Sequence, residues 1–257
     1  MTFKTEYAVD MTCDSCVNDV KSTLSQVEGI QKSEIDLEKK RVVVEGTVPP
    51  SKIVKLLRET GRTVIVRGSG ASDGSHLGAA VCIFEEHNMN SKNQDYHPKG
   101  LARFVQVSEE HCLIDITVNN LPPGEHGVHI HEYGDVSEGP KSTGDHFNPT
   151  NETHGDHEKG HVGDLGNITV DENGWGDMII ESTRVKVWDI IGRSVVISNG
   201  KDDFGKGTNQ QSAIDGNSGL GLICGIIARS AGLFENDKKV CACSGKTLWE
   251  EARTASV

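Results

Sequence analysis

Apolar and polar positions follow two different rhythms along this chain. Lys4 to Asp10, KTEYAVD, alternates as a strand does, and from Cys16 to Val27 the apolar residues Val17, Val20, Leu24 and Val27 recur at helical spacing. SEIDLE and RVVVEG predict two strands joined by a charged turn at Lys39 and Lys40. Pro50 opens a second helix, SKIVKLLRE, with proline in the first turn where its missing N–H leaves no bond unmade, and RTVIVRG predicts a last strand. The order β-α-β-β-α-β over residues 1–67 is the ferredoxin-like plan, a small α+β domain.

Residues 68–78, GSGASDGSHLG, are rich in Gly and Ser and read as a linker. From Ala79 the rhythm shortens to AAVCIFE, GLARFVQVS, CLIDITV, GVHIHEY, NITVD, SVVIS and LICGIIARS, separated by turn-forming Gly, Asn and Asp. Such runs predict an all-β antiparallel sandwich or barrel over 79–234. The pattern fades after Phe234 and leaves a polar, irregular tail, 235–257.

Charge narrows the partners. Lys plus Arg number 26 against 38 Asp plus Glu, a net charge of -12 with no strongly basic run, which argues against nucleic acid or an anionic membrane as partner. The apolar stretch from Leu220 to Ala228 is broken by glycine and falls far short of the roughly 20 residues of a membrane helix. MTFKTEYAVD lacks the apolar core of a secretory signal. The expectation is a cytoplasmic protein without stable membrane insertion, with the nucleus and the mitochondrial intermembrane space also open to it.

The cysteines and histidines carry the candidate chemistry. Seven cysteines, an odd number, do not suit a secreted disulfide framework, and four of them fall in two tight pairs, Cys13/Cys16 and Cys241/Cys243. Cys13-x-x-Cys16 fits a redox dithiol, half of a zinc site, or a perch for another metal. A thioredoxin-like dithiol needs a larger βαβ context, and zinc needs two more ligands, whereas the nearest histidine is His76 in the linker. Cu(I) is soft and accepts two thiolates, and a helix N-terminus favours the thiolate form, so Cu(I) is the expected ligand of Cys13 and Cys16. Cys241-Ala242-Cys243 can also bind Cu(I), and a disulfide between them closes a strained, easily reduced ring suited to thiol–disulfide exchange. Seven of eleven histidines lie between His126 and His161. His129 and His131 alternate across Ile130 and so share one face of a strand, and His146, His154, His157, His161 and Asp164 follow, a donor set that suits tetrahedral zinc.

GEHGVHIHEYGD, STGDHFNP, HVGDLGNITVD, DDFGKG and the GNSG…CGII segment resemble the signature segments of the copper/zinc superoxide dismutase family, across residues 79 to 232. The resemblance implies a Greek-key β-sandwich or barrel. It implies Zn(II) on His146, His154, His161 and Asp164, with His146 as the bridging ligand and Asp202 as the carboxylate that orients ligands of both metals. The loop from His154 to His161 is two residues shorter than in the enzyme, which leaves His157 open as a replacement for His154 or His161. On the copper side, His129 and His131 match the family, but RSVVIS puts Ser198 where the last copper histidine belongs. Gly221 stands at the position of the substrate-guiding arginine, and Pro140 stands near that of the cysteine that would pair with Cys224. Three losses together argue against dismutation. The segments by which this family dimerises correspond to Gly134, Ile191, Gly192, Arg193 and Ile226, so these are expected to form a partner surface, self-complementary as twofold interfaces are.

MTCDSC at this point of a ferredoxin-like domain resembles the heavy-metal-associated copper carriers, with Met11 expected beneath the loop and not on the metal. The tail, SAGLFEN…KKVCACSGKTLWEE, completes a three-part order that is similar to the copper chaperones for copper/zinc superoxide dismutase. That resemblance implies a metallochaperone, not an enzyme. It would take Cu(I) from an upstream source, form a heterodimer with copper/zinc superoxide dismutase, deliver copper and promote the client's disulfide; a homodimer is a further implied state. The alternatives are a bifunctional dismutase with its own copper supply and a client-free copper buffer. The sequence leaves open which cysteine pair hands copper over.

Overall fold

The computed structural model describes residues 2–73, 75–84 and 98–234, so Cys241 and Cys243 lie outside the described residues. The described chain divides into two compact units, one of residues up to Gly78 together with the chain from Ala231, the other Ala79–Ser230.

In the first unit, β1 (Phe3–Val9), α1 (Asp14–Ser25), β2 (Ile30–Asp36), β3 (Arg41–Gly46), α2 (Pro50–Glu59) and β4 (Val64–Ala71) build one antiparallel sheet ordered β2-β3-β1-β4. Its core joins Tyr7 and Val9 of β1 to Val20 and Leu24 of α1 and to Ile53 and Leu57 of α2. Each helical pair is four apart, one face of a helix. Helix α1 starts at Asp14, two residues before the helical spacing that begins at Cys16, and the acidic residue there meets the positive end of the helix.

Glycine and serine at 68–71 do not begin a linker as their composition suggests. They extend β4 along β1, with Thr5 opposite Ser69 and Phe3 opposite Ala71. The buried hydroxyls of Thr5 and Ser69 lie 2.9 Å apart, and Leu233 N–H donates to Ser69 O. A Cβ on Gly68 would sit 2.0 Å from the Gly232 carbonyl, so the missing side chain is what admits the returning chain. The run from Ala231 to Phe234 accordingly groups with this unit rather than with the barrel that precedes it.

The second unit contains β5 (Gly78–Phe84), β6 (Lys99–Gln106), β7 (Cys112–Asn119), β8 (Gly124–His131), β9 (Ser137–Pro140), β10 (Asp164–Val170), β11 (Gly176–Ser182), α3 (Val187–Ile190), β12 (Ser194–Ser198), α4 (Ser212–Asp215) and β13 (Gly221–Arg229). Eight strands close a barrel in the order β10-β11-β7-β6-β5-β13-β12-β8, a non-sequential path of the Greek-key kind. Phe84, Phe104, Ile114, Ile116, Val128, Ile130, Ile168 and Ile197 fill it. Val128 and Ile130 face this core, so the alternation of β8 turns His129 and His131 to the opposite face. The long connections from 132 to 163 and from 199 to 220 cover that face, and His129 is wholly buried. Among the described residues, no helix is long and apolar enough to cross a membrane.

Candidate metal centres

Two arrangements of soft or borderline donors stand out, one in each unit. In the first, Cys13 caps α1 and Cys16 lies in its opening turn, with their sulfurs 3.4 Å apart and the pair open to solvent. That gap exceeds the roughly 2.05 Å of a disulfide, so both thiols are free. A backbone hydrogen bond at Thr12, the Arg62 guanidinium and Cys13 together pull the Cys16 thiol down from 9.0 to about 6. Arg62 is itself held by Asp19, 2.8 Å away, and its Nη1 donates to Thr60 O. Met11 is buried in the core cluster against which Cys16 packs. The other thiols are unlike this pair. Burial raises Cys82 far above its ordinary value and pushes Cys112 and Cys224 to about 12.

In the barrel, the His146, His154, His161 and Asp164 side chains bring one donor atom each within 4.8 Å of one another, all buried. Asp164 opens β10, and its Oδ1 faces His146 Nδ1 at 2.9 Å and His161 Nδ1 at 3.3 Å, while Oδ2 faces His154 Nδ1 at 3.1 Å. Oδ2 also accepts the backbone N–H groups of Gly155 and His161. Burial alone would raise the Asp164 carboxyl, but the imidazoles of His146, His154 and His161 set against it hold it well below the usual carboxylate range. His154 has the reverse balance: burial opposes its charge, yet Asp164 and Asp202 lift it to about 9. His157 is exposed and lies outside this set, so His154 and His161 are the histidines of the short loop that converge.

The loop's brevity is handled by tight backbone geometry. Asp156 N–H donates to Lys159 O, and the Asp156 carboxylate accepts from the N–H groups of Glu158 and Lys159. A Cβ on Gly155 would lie 1.8 Å from Lys159 O, so glycine is required at the close approach.

Asp202 links this set to the neighbouring one. One oxygen is 2.8 Å from His154 Nε2 and the other 2.8 Å from His129 Nε2. His129, His131 and His146 form a second group within 4.8 Å, with the His129 and His146 rings stacked at 3.9 Å. Burial, and then the neighbouring His146, lower His131 to about 4; burial and His129 do the same to His146. The Nδ1 atoms of His154 and His161 lie 3.1 and 3.3 Å from the Asp164 carboxylate but are not aligned for a hydrogen bond, and His129 Nδ1 is likewise buried without one. Buried imidazole nitrogens left over beside a carboxylate are what a bound zinc ion would satisfy, so the residues present fit that metal.

Ser198 ends β12, buried, opposite Gly221 of β13. A side chain at Gly221 has no room: its Cβ would lie 2.4 Å from Pro140 Cβ and 2.7 Å from Val196 Cγ1. Pro140 and Gly221 therefore form one packing contact beside Ser198.

Of the residues read as a partner surface, Gly134 and Gly192 lie in contact, a Gly134 Cβ falling 2.2 Å from Gly192 O and 3.3 Å from Ile226 Cγ2. Ile226 is 44% exposed and Ile191 half-buried against the core. Arg193 turns inward: it donates to Asp189 O and Glu132 O and stacks 3.8 Å from the Phe147 ring. Sequence reading missed Ile83 and Trp188, 60% and 52% exposed. The β5–β13 register, Ile227 opposite Cys82, continues to place Ile83 beside Ile226. The signal for Ile83 was present, since Ile83 and Ile226 each alternate with buried neighbours on strands that pair.

Comparison with known proteins places both units. The sequence profile of copper/zinc superoxide dismutase (SODC) matches residues 98–227, and that of the heavy-metal-associated domain matches residues 6–63. The copper chaperone for superoxide dismutase of Mus musculus is 47% identical over 249 residues, 96% of this chain and 88% of that protein. The superoxide dismutase 1 copper chaperone of Saccharomyces cerevisiae is 40% identical over 255 residues, 99% of this chain and 96% of its own. A crystal structure of the clock protein EA4 superposes with a TM-score of 0.53 at 34% identity, over 60% of this chain and 96% of that one.

Proposed function

The chain belongs to the family of copper chaperones for superoxide dismutase, and from that premise we propose how its residues carry copper to the client. It is a carrier and not an enzyme, with copper as cargo and superoxide dismutase as recipient. Cys13 and Cys16 take up Cu(I): two sulfurs 3.4 Å apart, Cys13 exposed and Cys16 partly so and drawn toward the thiolate, are the observation that carries this reading. The ion stays exchangeable because the pair lies open to an incoming donor and to the upstream copper source.

The barrel docks an immature dismutase as a heterodimer, through Ile191, Ile226 and Ile83 around the Gly134–Gly192 contact. The same face could pair two copies of this chain as a homodimer. His146, His154, His161 and Asp164 hold Zn(II), with Asp202 behind them and His129 and His131 as a remnant of a copper site. A bound zinc would supply charge and fixed coordination, drawing the loop ends together, while the side chains keep their rings oriented. Ser198 and the occlusion of position 221 by Pro140 keep this barrel from turning over superoxide itself. Docking makes copper transfer intramolecular, at an effective concentration on the order of mM for a short flexible tether.

Cys241 and Cys243 complete delivery and oxidise the client. A client thiolate attacks the Cys241–Cys243 disulfide, and the second client thiol then resolves the mixed disulfide; the client loses two electrons and two protons, and the pair becomes a dithiol. The compartment is the cytoplasm. The test is the double variant Cys241→Ser/Cys243→Ser, mixed with copper-free reduced dismutase. Activation is abolished while heterodimer formation persists; loss of docking as well would make the tail structural and overturn the assignment.

A further inference from the structure

Arg184 lies in the connection between β11 and α3, distant in sequence from every residue of the zinc set, and its guanidinium receives two successive backbone carbonyls of the loop that carries two of them. Nη2 makes a short bond to Gly160 O and Nη1 donates to His161 O at 3.3 Å. We infer that Arg184 is a positioning residue for zinc, a clamp that closes the short loop from His154 to His161 by its fork of donors.

Both ends of the clamp are fixed. On the arginine side, the N–H groups of Arg184 and Val185 donate to the Oγ of buried Ser182. On the loop side, a Cβ on Gly160 would lie 2.5 Å from Asp164 Oδ2 and 2.7 Å from Gly155 N, so the Gly160 peptide is wedged against the carboxylate and can present its carbonyl only outward. His161 O is shared with Asp164 N–H, which places the arginine on the same peptide that orients the carboxylate ligand. Arginine suits the task because its planar fork serves two acceptors at once and keeps its charge, whereas lysine offers a single ammonium. Residues that hold ligands in orientation typically change metal affinity by about 10–100-fold when lost.

The inference rests on the zinc assignment made above, and the test separates the two. The full chain, its exposed thiols blocked with iodoacetamide, is loaded with one equivalent of zinc, and release to a chromophoric chelator is timed for wild type, Arg184→Met and Arg184→Lys. Thermal unfolding is followed with and without zinc. The clamp predicts release faster by about tenfold for Arg184→Met, a smaller increase for Arg184→Lys, and a loss of thermal stability confined to the zinc-loaded form. Release rates within about twofold of wild type, or equal destabilisation of both forms, would overturn it. Should Arg184→Met not fold, the Lys variant alone decides by the same two readouts. Wild-type protein that retains no zinc would overturn the ligand set, and the clamp with it.

Discussion

Replacing Ile226 by aspartate puts the docking surface to its sharpest test. The side chain is 44% exposed, projects beside Gly134, and lies outside the barrel core, in contrast to its neighbour Ile227 at 1%. The area still open to a partner is about 75 Å², worth about 2 kcal/mol at roughly 25 cal/mol per Å². Loss of that burial alone weakens association about 25-fold, at about 1.4 kcal/mol per tenfold. A carboxylate forced into an apolar contact without a partner adds to this, so the combined loss is at least about 100-fold. Sedimentation of the variant with copper-free dismutase reads the heterodimer directly, and thermal unfolding of the variant alone checks that the barrel is intact. A heterodimer within about threefold of wild-type affinity, in a folded variant, would refute the assigned face.

Three further outcomes follow from the sites. Cys16 titrates near 6, so its alkylation by iodoacetamide is at its plateau above pH 7 and falls to about half near pH 6; Arg62→Met removes one of the groups that lower it and moves this midpoint upward, and an unmoved midpoint would show that the guanidinium has no part. Cys82, Cys112 and Cys224, raised by burial, stay unlabelled at pH 7 until the protein is unfolded, which mass spectrometry of the alkylated peptides checks. Asp202→Asn turns an amide N–H toward one of two imidazole N–H groups now 2.8 Å from a carboxylate oxygen, and zinc affinity measured by chelator competition falls about 10–100-fold; unchanged affinity would remove Asp202 from the account.

Much of the architecture was legible in the residues because periodicity reports which face is buried. Val20 with Leu24 and Ile53 with Leu57 announce two helical stripes, and Val128-His129-Ile130-His131 announces a strand with a core face and a ligand face. Composition misled at Gly68–Ala71, where small residues serve close packing of two backbones instead of freedom. The donor groups that the fold brings together, His146, His154, His161 and Asp164 in the barrel and Cys13 with Cys16 on the first helix, were readable because they cluster in the sequence. Arg62, Arg184 and the Pro140–Gly221 contact were not, for each acts through a neighbour far away in sequence: a sulfur 46 positions back for Arg62, a carbonyl 24 positions back for Arg184. Arg193 donates to the carbonyls of Asp189 and Glu132 within its own unit, contacts that its sequence position does not announce.

The central claim is that copper held by Cys13 and Cys16 is destined for another protein. The direct measurement loads the full chain with Cu(I), mixes it with reduced, zinc-loaded, copper-free dismutase in the presence of a Cu(I) chelator, and then separates the two proteins before assaying each. The account predicts dismutase activity in the client fraction, none in the chain described here, and no activation from a Cys13→Ser/Cys16→Ser variant under the same chelator. Activity that stays with this chain, or a client that gains none from the copper-loaded wild type, would contradict it.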